Sequence, residues 1–274
     1  MFERRRRILR EARGMISELG YDNFNFRELA RRADVAPRTL YNAFGSRENI
    51  VASAILWYSK AFTDHAHHLE PAHTLRGQLE RLIKVHSRNI QIRSYSIAIM
   101  TVYNSQNAAP PIRQAIRTLC YETVSPFVDH LAAGLYFDDY VKPKSYTAYL
   151  TSAVYCTLSD WCAGEILDND LVDAMAQTLL VATLAFTRGA AKKEAQDWLI
   201  RVRAFSPEWE QLRTASATPE APQRALPQVA KARKAPVAPP KERVKLGADQ
   251  SRSSTQKMLS PSTAPGRRAD DVST

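Results

Sequence analysis

Cysteine is scarce in this sequence, with three in 274 residues. Cys120, Cys156 and Cys162 are an odd number with no Cys-x-x-Cys spacing. That argues against a disulfide framework and for reduced thiols packed as small hydrophobes. Glycine is also sparse, nine residues in all, and none builds a phosphate-cradling loop or a nucleophile elbow. No Glu/His constellation replaces them, so an enzyme is the weakest reading and no cofactor is expected. No stretch approaches the roughly 18 uninterrupted apolar residues of a membrane-spanning helix. Behind Met1-Phe2-Glu3 stand Arg4, Arg5, Arg6 and Arg7 rather than the apolar segment of a secretory signal. Runs of alternating β-branched residues joined by hairpin turns are missing too. The expectation is a soluble, cytoplasmic, all-α protein with no membrane partner.

What the chain has in excess is positive charge, a net of +10, and it is unevenly placed. Residues 1–60 carry 12 basic and 7 acidic side chains, residues 61–213 carry 15 and 16, and residues 214–274 carry 11 and 5. A basic head, a near-neutral body and a basic tail point to an anionic partner at one or both ends. The tail holds 8 of the 15 prolines and no aromatic residue. It cannot bury enough apolar surface to offset its ordering entropy, so residues 214–274 are read as a disordered basic tail. Either it is a plain solvated segment or it holds DNA weakly through phosphates.

Apolar residues in the rest recur three and four apart, as in Ile8, Ala12, Met15, Ile16 and Leu19, or Leu75, Leu79, Leu82, Ile83 and His86. Helices are predicted over 3–19, 26–33, 37–43, 47–68, 74–93, 95–105, 110–134, 144–166, 170–190 and 194–204. Gly20, Pro110-Pro111, Pro143 and Asp168-Asn169-Asp170 punctuate them.

The informative stretch runs from Gly20 to Ile50. Gly20 can close the first helix in the left-handed conformation. Asn25 is a good N-cap for the second, with Glu28 placed for a capping box. Leu29, Ala30 and Ala33 give that helix a close-packing face. After the turn Asp34-Val35-Ala36, Pro37 suits the first position of a short third helix. This helix turns Leu40 and Phe44 inward and leaves Arg38, Thr39, Tyr41 and Asn42 outside. A short helix with a polar outer face after a tight turn is what a major-groove reader requires.

These residues resemble the DNA-binding domain of the TetR family of bacterial transcription regulators. The matching positions are Gly20-Tyr21, Arg27-Glu28-Leu29-Ala30, Ala33-Asp34-Val35, Thr39-Leu40-Tyr41-Asn42 with Phe44, and Ser46-Arg47-Glu48. Asp34 stands where the family's turn has Gly, Ala36 where it has a Ser or Thr cap, and Asn42 where it has His or Tyr. The resemblance implies a three-helix helix-turn-helix domain over residues 1–60 and a helical effector-binding and dimerisation domain over 61–213. It also implies a transcriptional regulator, a ligand-responsive repressor that binds a palindromic double-stranded operator as a homodimer. The candidate DNA contacts are Asn25, Arg27, Pro37, Arg38, Thr39, Tyr41, Asn42 and Arg47. Arg38 is suited to guanine and Asn42 to adenine, while Thr39, Tyr41, Asn25, Arg27 and Arg47 are suited to phosphates.

By the same resemblance, the dimer seam falls on 144–166 and 170–190. There Ala148, Ser152, Ala153, Ala174, Ala182 and Ala185 allow close approach, and Leu171, Met175, Thr178, Leu179 and Ala182 form a stripe. A monomer's core would use the same pattern. Tyr95, Tyr103, Tyr121, Phe127, Tyr155 and Trp161 are candidates for lining a pocket for a lipophilic or aromatic effector; aromatics at helical spacing also serve as plain core. His65, His67, His68 and His73 cluster, but without a second ligand pair at metal spacing no metal is expected. The rival reading is an architectural protein that coats DNA through its basic tail.

Overall fold

The computed structural model describes residues 2–63, 69–105 and 109–217, which form eleven helices. Most of the tail, like His65, His67 and His68, lies outside the described residues. Helix α1 spans Phe2–Leu19, α2 Phe26–Arg32, α3 Pro37–Phe44 and α4 Arg47–Thr63. Then come α5 Leu75–Gln91, α6 Arg93–Asn104, α7 Pro110–Ala133, α8 Pro143–Ala163, α9 Asp168–Phe186, α10 Gly189–Arg203 and α11 Pro207–Ser216. An isolated antiparallel bridge joins Phe137 and Thr187. No described helix is long and apolar enough to cross a membrane.

The head forms where local signals agree. Gly20 ends α1 at φ +73°, and its amide donates to the Ile16 carbonyl at 3.0 Å. The Asn25 carboxamide oxygen accepts the Glu28 amide at 2.9 Å, which caps α2. The capping box is only half made, because the Glu28 carboxylate turns forward to Arg31 and Arg32 instead of back to Asn25. Two bonds close α2: Val35 N–H reaches the Ala30 carbonyl at 3.0 Å and Asp34 N–H the Arg31 carbonyl at 3.3 Å. This Schellman geometry needs a left-handed residue at its centre, and Asp34 supplies it at φ +50°. Pro37 then opens α3, with no side-chain cap on Ala36. Ser46 caps α4 by accepting the Asn49 amide at 3.1 Å.

Head and body share one core. Ile8, Met15, Leu29, Leu40 and Ile50 belong to the same buried cluster as Tyr95, Ile116, Leu158 and Met175. Helix α1 packs on α6, and α4 packs on α7 while running across residue 60, so no break in packing falls at the predicted domain boundary. A second cluster is built from α5 and α7–α11. The Leu171, Met175, Leu179 and Ala182 stripe of α9 lies inside these clusters, buried within the chain. In its place, Ala148, Tyr149, Ser152 and Cys156 of α8 and Val181 and Ala185 of α9 face outward.

The sequence reading lacks α11 and ends the body at 213. The helix runs on to Ser216, with Trp209 fully buried and Leu212 nearly so. Asp173 of α9 holds it in place: it accepts Trp209 Nε1–H at 2.8 Å and pairs with Arg213 at 2.9 Å. Burial raises the Asp173 pKa against these two partners.

Candidate nucleic-acid interface

Packing leaves one side of α3 in solvent. Leu40 is fully buried and Phe44 nearly so, which fixes the helix's roll. Pro37, Arg38, Tyr41 and Asn42 are therefore exposed and Thr39 half-buried. The Tyr41 ring, 56% exposed, rests edge-on against Phe26 of α2 at 4.5 Å between centroids, which holds its hydroxyl outward on a rigid support. Arg27 is exposed on α2. Neither Arg27 nor Arg38 pairs with another side chain among the described residues. Packing thus brings five of the eight predicted contacts together as an outward polar surface, Arg27, Arg38, Thr39, Tyr41 and Asn42, with Pro37 at its edge.

The other two have partners within the head, Asn25 at its surface and Arg47 half-buried. Asn25 spends its oxygen on the α2 cap, and its amide nitrogen donates to the Asn23 carbonyl at 3.4 Å. Arg47 donates to the Tyr21 carbonyl, and its guanidinium lies 4.2 Å over the Tyr21 ring and 5.9 Å from the Phe24 ring. Its Nε is buried. An arginine so committed joins the start of α4 to the loop before α2.

The arginine-rich first turns behave similarly. Arg5 lies 4.5 Å over Phe44, Arg6 pairs with Glu3 at 3.2 Å, and Arg7 donates to the Asp34 carbonyl at 3.3 Å. Arg32 bridges Glu18 at 2.7 Å and Glu28 at 2.8 Å, tying α1 to α2. Hydrogen bonds from Arg31 and Arg32 hold the Glu28 carboxyl well down, at about 2.

Beneath α4 lies a cavity of about 210 Å³, walled by α4–α9. Tyr95 and Tyr155 line it, while Tyr103 lies tilted against Tyr155 at 4.9 Å between ring centroids without lining it. Tyr121 is 59% exposed, Phe127 belongs to the second core cluster, and Trp161 is fully buried with its indole N–H on Asp168. Residues the sequence reading did not single out complete the polar end of the cavity. They are Tyr58 of α4 and Arg88 of α5, joined by an Arg88 Nε to Tyr58 hydroxyl bond of 2.7 Å. His73 faces His130 at 5.4 Å, and no group of three or more metal-ligating side chains occurs among the described residues.

Residues 8–54 match the family model of bacterial regulatory proteins, tetR family. No curated protein matches the sequence. Among solved structures, a TetR transcription regulator from Haloarcula marismortui aligns over 69% of this chain and 100% of its own, with 13% identity and a TM-score of 0.52. SmeT, the repressor of the Stenotrophomonas maltophilia multidrug efflux pump SmeDEF, aligns over 68% of this chain and 92% of its own, with 15% identity and a TM-score of 0.50. At such identities the structures speak for the fold alone. The match over residues 8–54 falls on the helix-turn-helix described above, so this head is similar to the DNA-binding domain of bacterial regulatory proteins of the tetR family.

Proposed function

We propose that the chain is a ligand-responsive repressor that binds a palindromic operator as a homodimer. The observation that carries this reading is the outward face of α3. Arg38 and Asn42 stand free on a helix whose roll is fixed by buried Leu40 and Phe44. Arg38 can bind guanine O6 and N7 together, and Asn42 can pair with adenine. Thr39, Tyr41 and Arg27 flank them and take phosphates, with Pro37 at the groove edge. Asn25 and Arg47 leave this set as direct contacts and support it from behind.

One helix of eight residues reads too few bases for tight specific binding, so two copies are needed. The outward small and apolar residues of α8 and α9 are the face proposed to join them. The cavity supports ligand control: Ile55 and Tyr58 of α4 are part of its wall, and α4 is capped directly after the reading helix. A ligand that fits best when α4 has moved shifts the spacing of the two heads and releases DNA.

Selection from a random duplex pool, with sedimentation of the full chain, tests the proposal. The expected result is a dimer and an enriched palindrome with half-sites about one helical turn apart. A monomer that binds every duplex alike would favour the architectural reading instead. Removing residues 218–274 separates the two further. The repressor keeps its site preference and loses only salt-sensitive, sequence-blind affinity, whereas an architectural protein loses most of its binding.

A further inference from the structure

The cavity beneath α4 has a chemistry that narrows its occupant. Its volume of about 210 Å³ exceeds the ~150 Å³ that accommodates benzene, so it suits a substituted or fused pair of rings. Ile99, Met100, Ile116 and Leu158 supply apolar wall, and Tyr58 and Tyr95, edge to face at 6.1 Å, supply ring surface at one end.

That end also carries positive charge and an unused donor. Arg88 lines it, and Arg13 of α1 lies 4.0 Å over the Tyr58 ring and 5.3 Å over the Tyr95 ring. The Tyr95 hydroxyl is buried and has no hydrogen-bond partner. Burial pushes the Tyr95 phenol well up and so keeps it a donor, and His86 in the wall is held neutral by a pKa pulled down to about 4. No Asp or Glu is among the described residues lining the cavity. A buried donor without an acceptor is a standing deficit that a ligand oxygen can relieve. A desolvated cation would meet Arg81 and Arg88 and no carboxylate to pair with.

We propose that the cavity binds a small aromatic molecule, neutral or anionic, whose acceptor oxygen receives the Tyr95 hydroxyl, and that it rejects cationic lipophiles. This names the effector class of the ligand-responsive reading and rests on it.

A series on one naphthalene ring system tests the idea on the full chain by calorimetry: 2-naphthoate, naphthalene and naphthalen-2-ylmethylammonium. Naphthoate should bind at least tenfold tighter than naphthalene, with the ammonium weakest. Tyr95→Phe should lower naphthoate affinity about tenfold and leave naphthalene unchanged, which also serves as the control for folding. The inference is overturned if the ammonium binds as tightly as naphthoate, if none of the three binds, or if Tyr95→Phe leaves naphthoate affinity untouched. Operator affinity measured with naphthoate present keeps the two claims apart. Binding in the expected order with no effect on DNA upholds the cavity's chemistry and contradicts ligand control.

Discussion

On the outer side of the head, Arg27 and Arg38 extend into solvent with no side-chain partner among the described residues. On the inner side, half-buried Arg7, Arg13, Arg32 and Arg47 are turned onto carbonyls, ring faces and carboxylates, and the exposed Arg5 lies over the Phe44 ring. The residue type is the same, and so is its contribution to the basic charge of residues 1–60. The outer set can meet phosphates and bases at no structural cost. The inner set holds α1, α2 and α4 in the arrangement that presents α3. Net charge therefore overstates the free cationic surface, and packing decides which cations are left available and which support the fold.

The sharpest way to break this comparison is Arg38→Ala. Loss of a bidentate base contact should weaken binding to the preferred site by about 1–3 kcal/mol with no change in melting temperature. Equal loss on random duplexes would reduce Arg38 to a phosphate contact. Arg47→Ala should do the reverse. The ring contact and the Tyr21 carbonyl bond together support roughly 1–2 kcal/mol of folding stability. Denaturant titration should show that loss, while the affinity of the folded fraction stays nearly constant. A normal melting curve with weakened DNA binding would move Arg47 to the outer set.

Gly14→Ala is a smaller and opposite probe. It lies within α1, and an added Cβ meets nothing nearer than the Glu18 carboxylate at 3.8 Å. The substitution should raise stability by about 0.5–1 kcal/mol through helix propensity and leave DNA affinity unchanged. Gly77 of α5 is the counter-example, since a Cβ there would sit 2.2 Å from the Pro71 carbonyl oxygen. The smallest effect concerns pH. The Glu28 pKa falls from an ordinary 4.5 to about 2 in the fold. Its contribution is therefore fully present above pH 4.5 and is lost as pH falls toward 2. Glu28→Gln should flatten the stability curve across that window only, and an unchanged slope would remove the Glu28–Arg31–Arg32 cluster from the account.

Much of the head is legible in the sequence because its signals are local. Gly20, Asn25, Pro37 and Ser46 each act within a few residues, and each sits at the helix boundary it marks. What escapes the sequence depends on distant partners. Helix α11 carries a start signal in Ser206 and Pro207, but Trp209 and Leu212 alone make a thin apolar face. Its attachment depends on Asp173, 36 residues before Trp209. A charged residue within the apolar α9 was the available clue. The cavity shows the same limit. Aromatic spacing led to six candidates of which Tyr95 and Tyr155 line it, whereas Tyr58 and Arg88 become neighbours only when α4 and α5 meet. The free and occupied arginines of the head likewise differ in tertiary surroundings, not in sequence pattern.

The most direct test of the central claim is the ratio of affinities for a selected duplex and a random duplex of equal length, measured at one salt concentration for the wild-type chain and for Arg38→Ala. If the outer face of α3 reads bases, the wild-type ratio should be about a thousandfold or more, and Arg38→Ala should reduce it about tenfold or further. A wild-type ratio near one, or a ratio that Arg38→Ala leaves unchanged, would contradict the account.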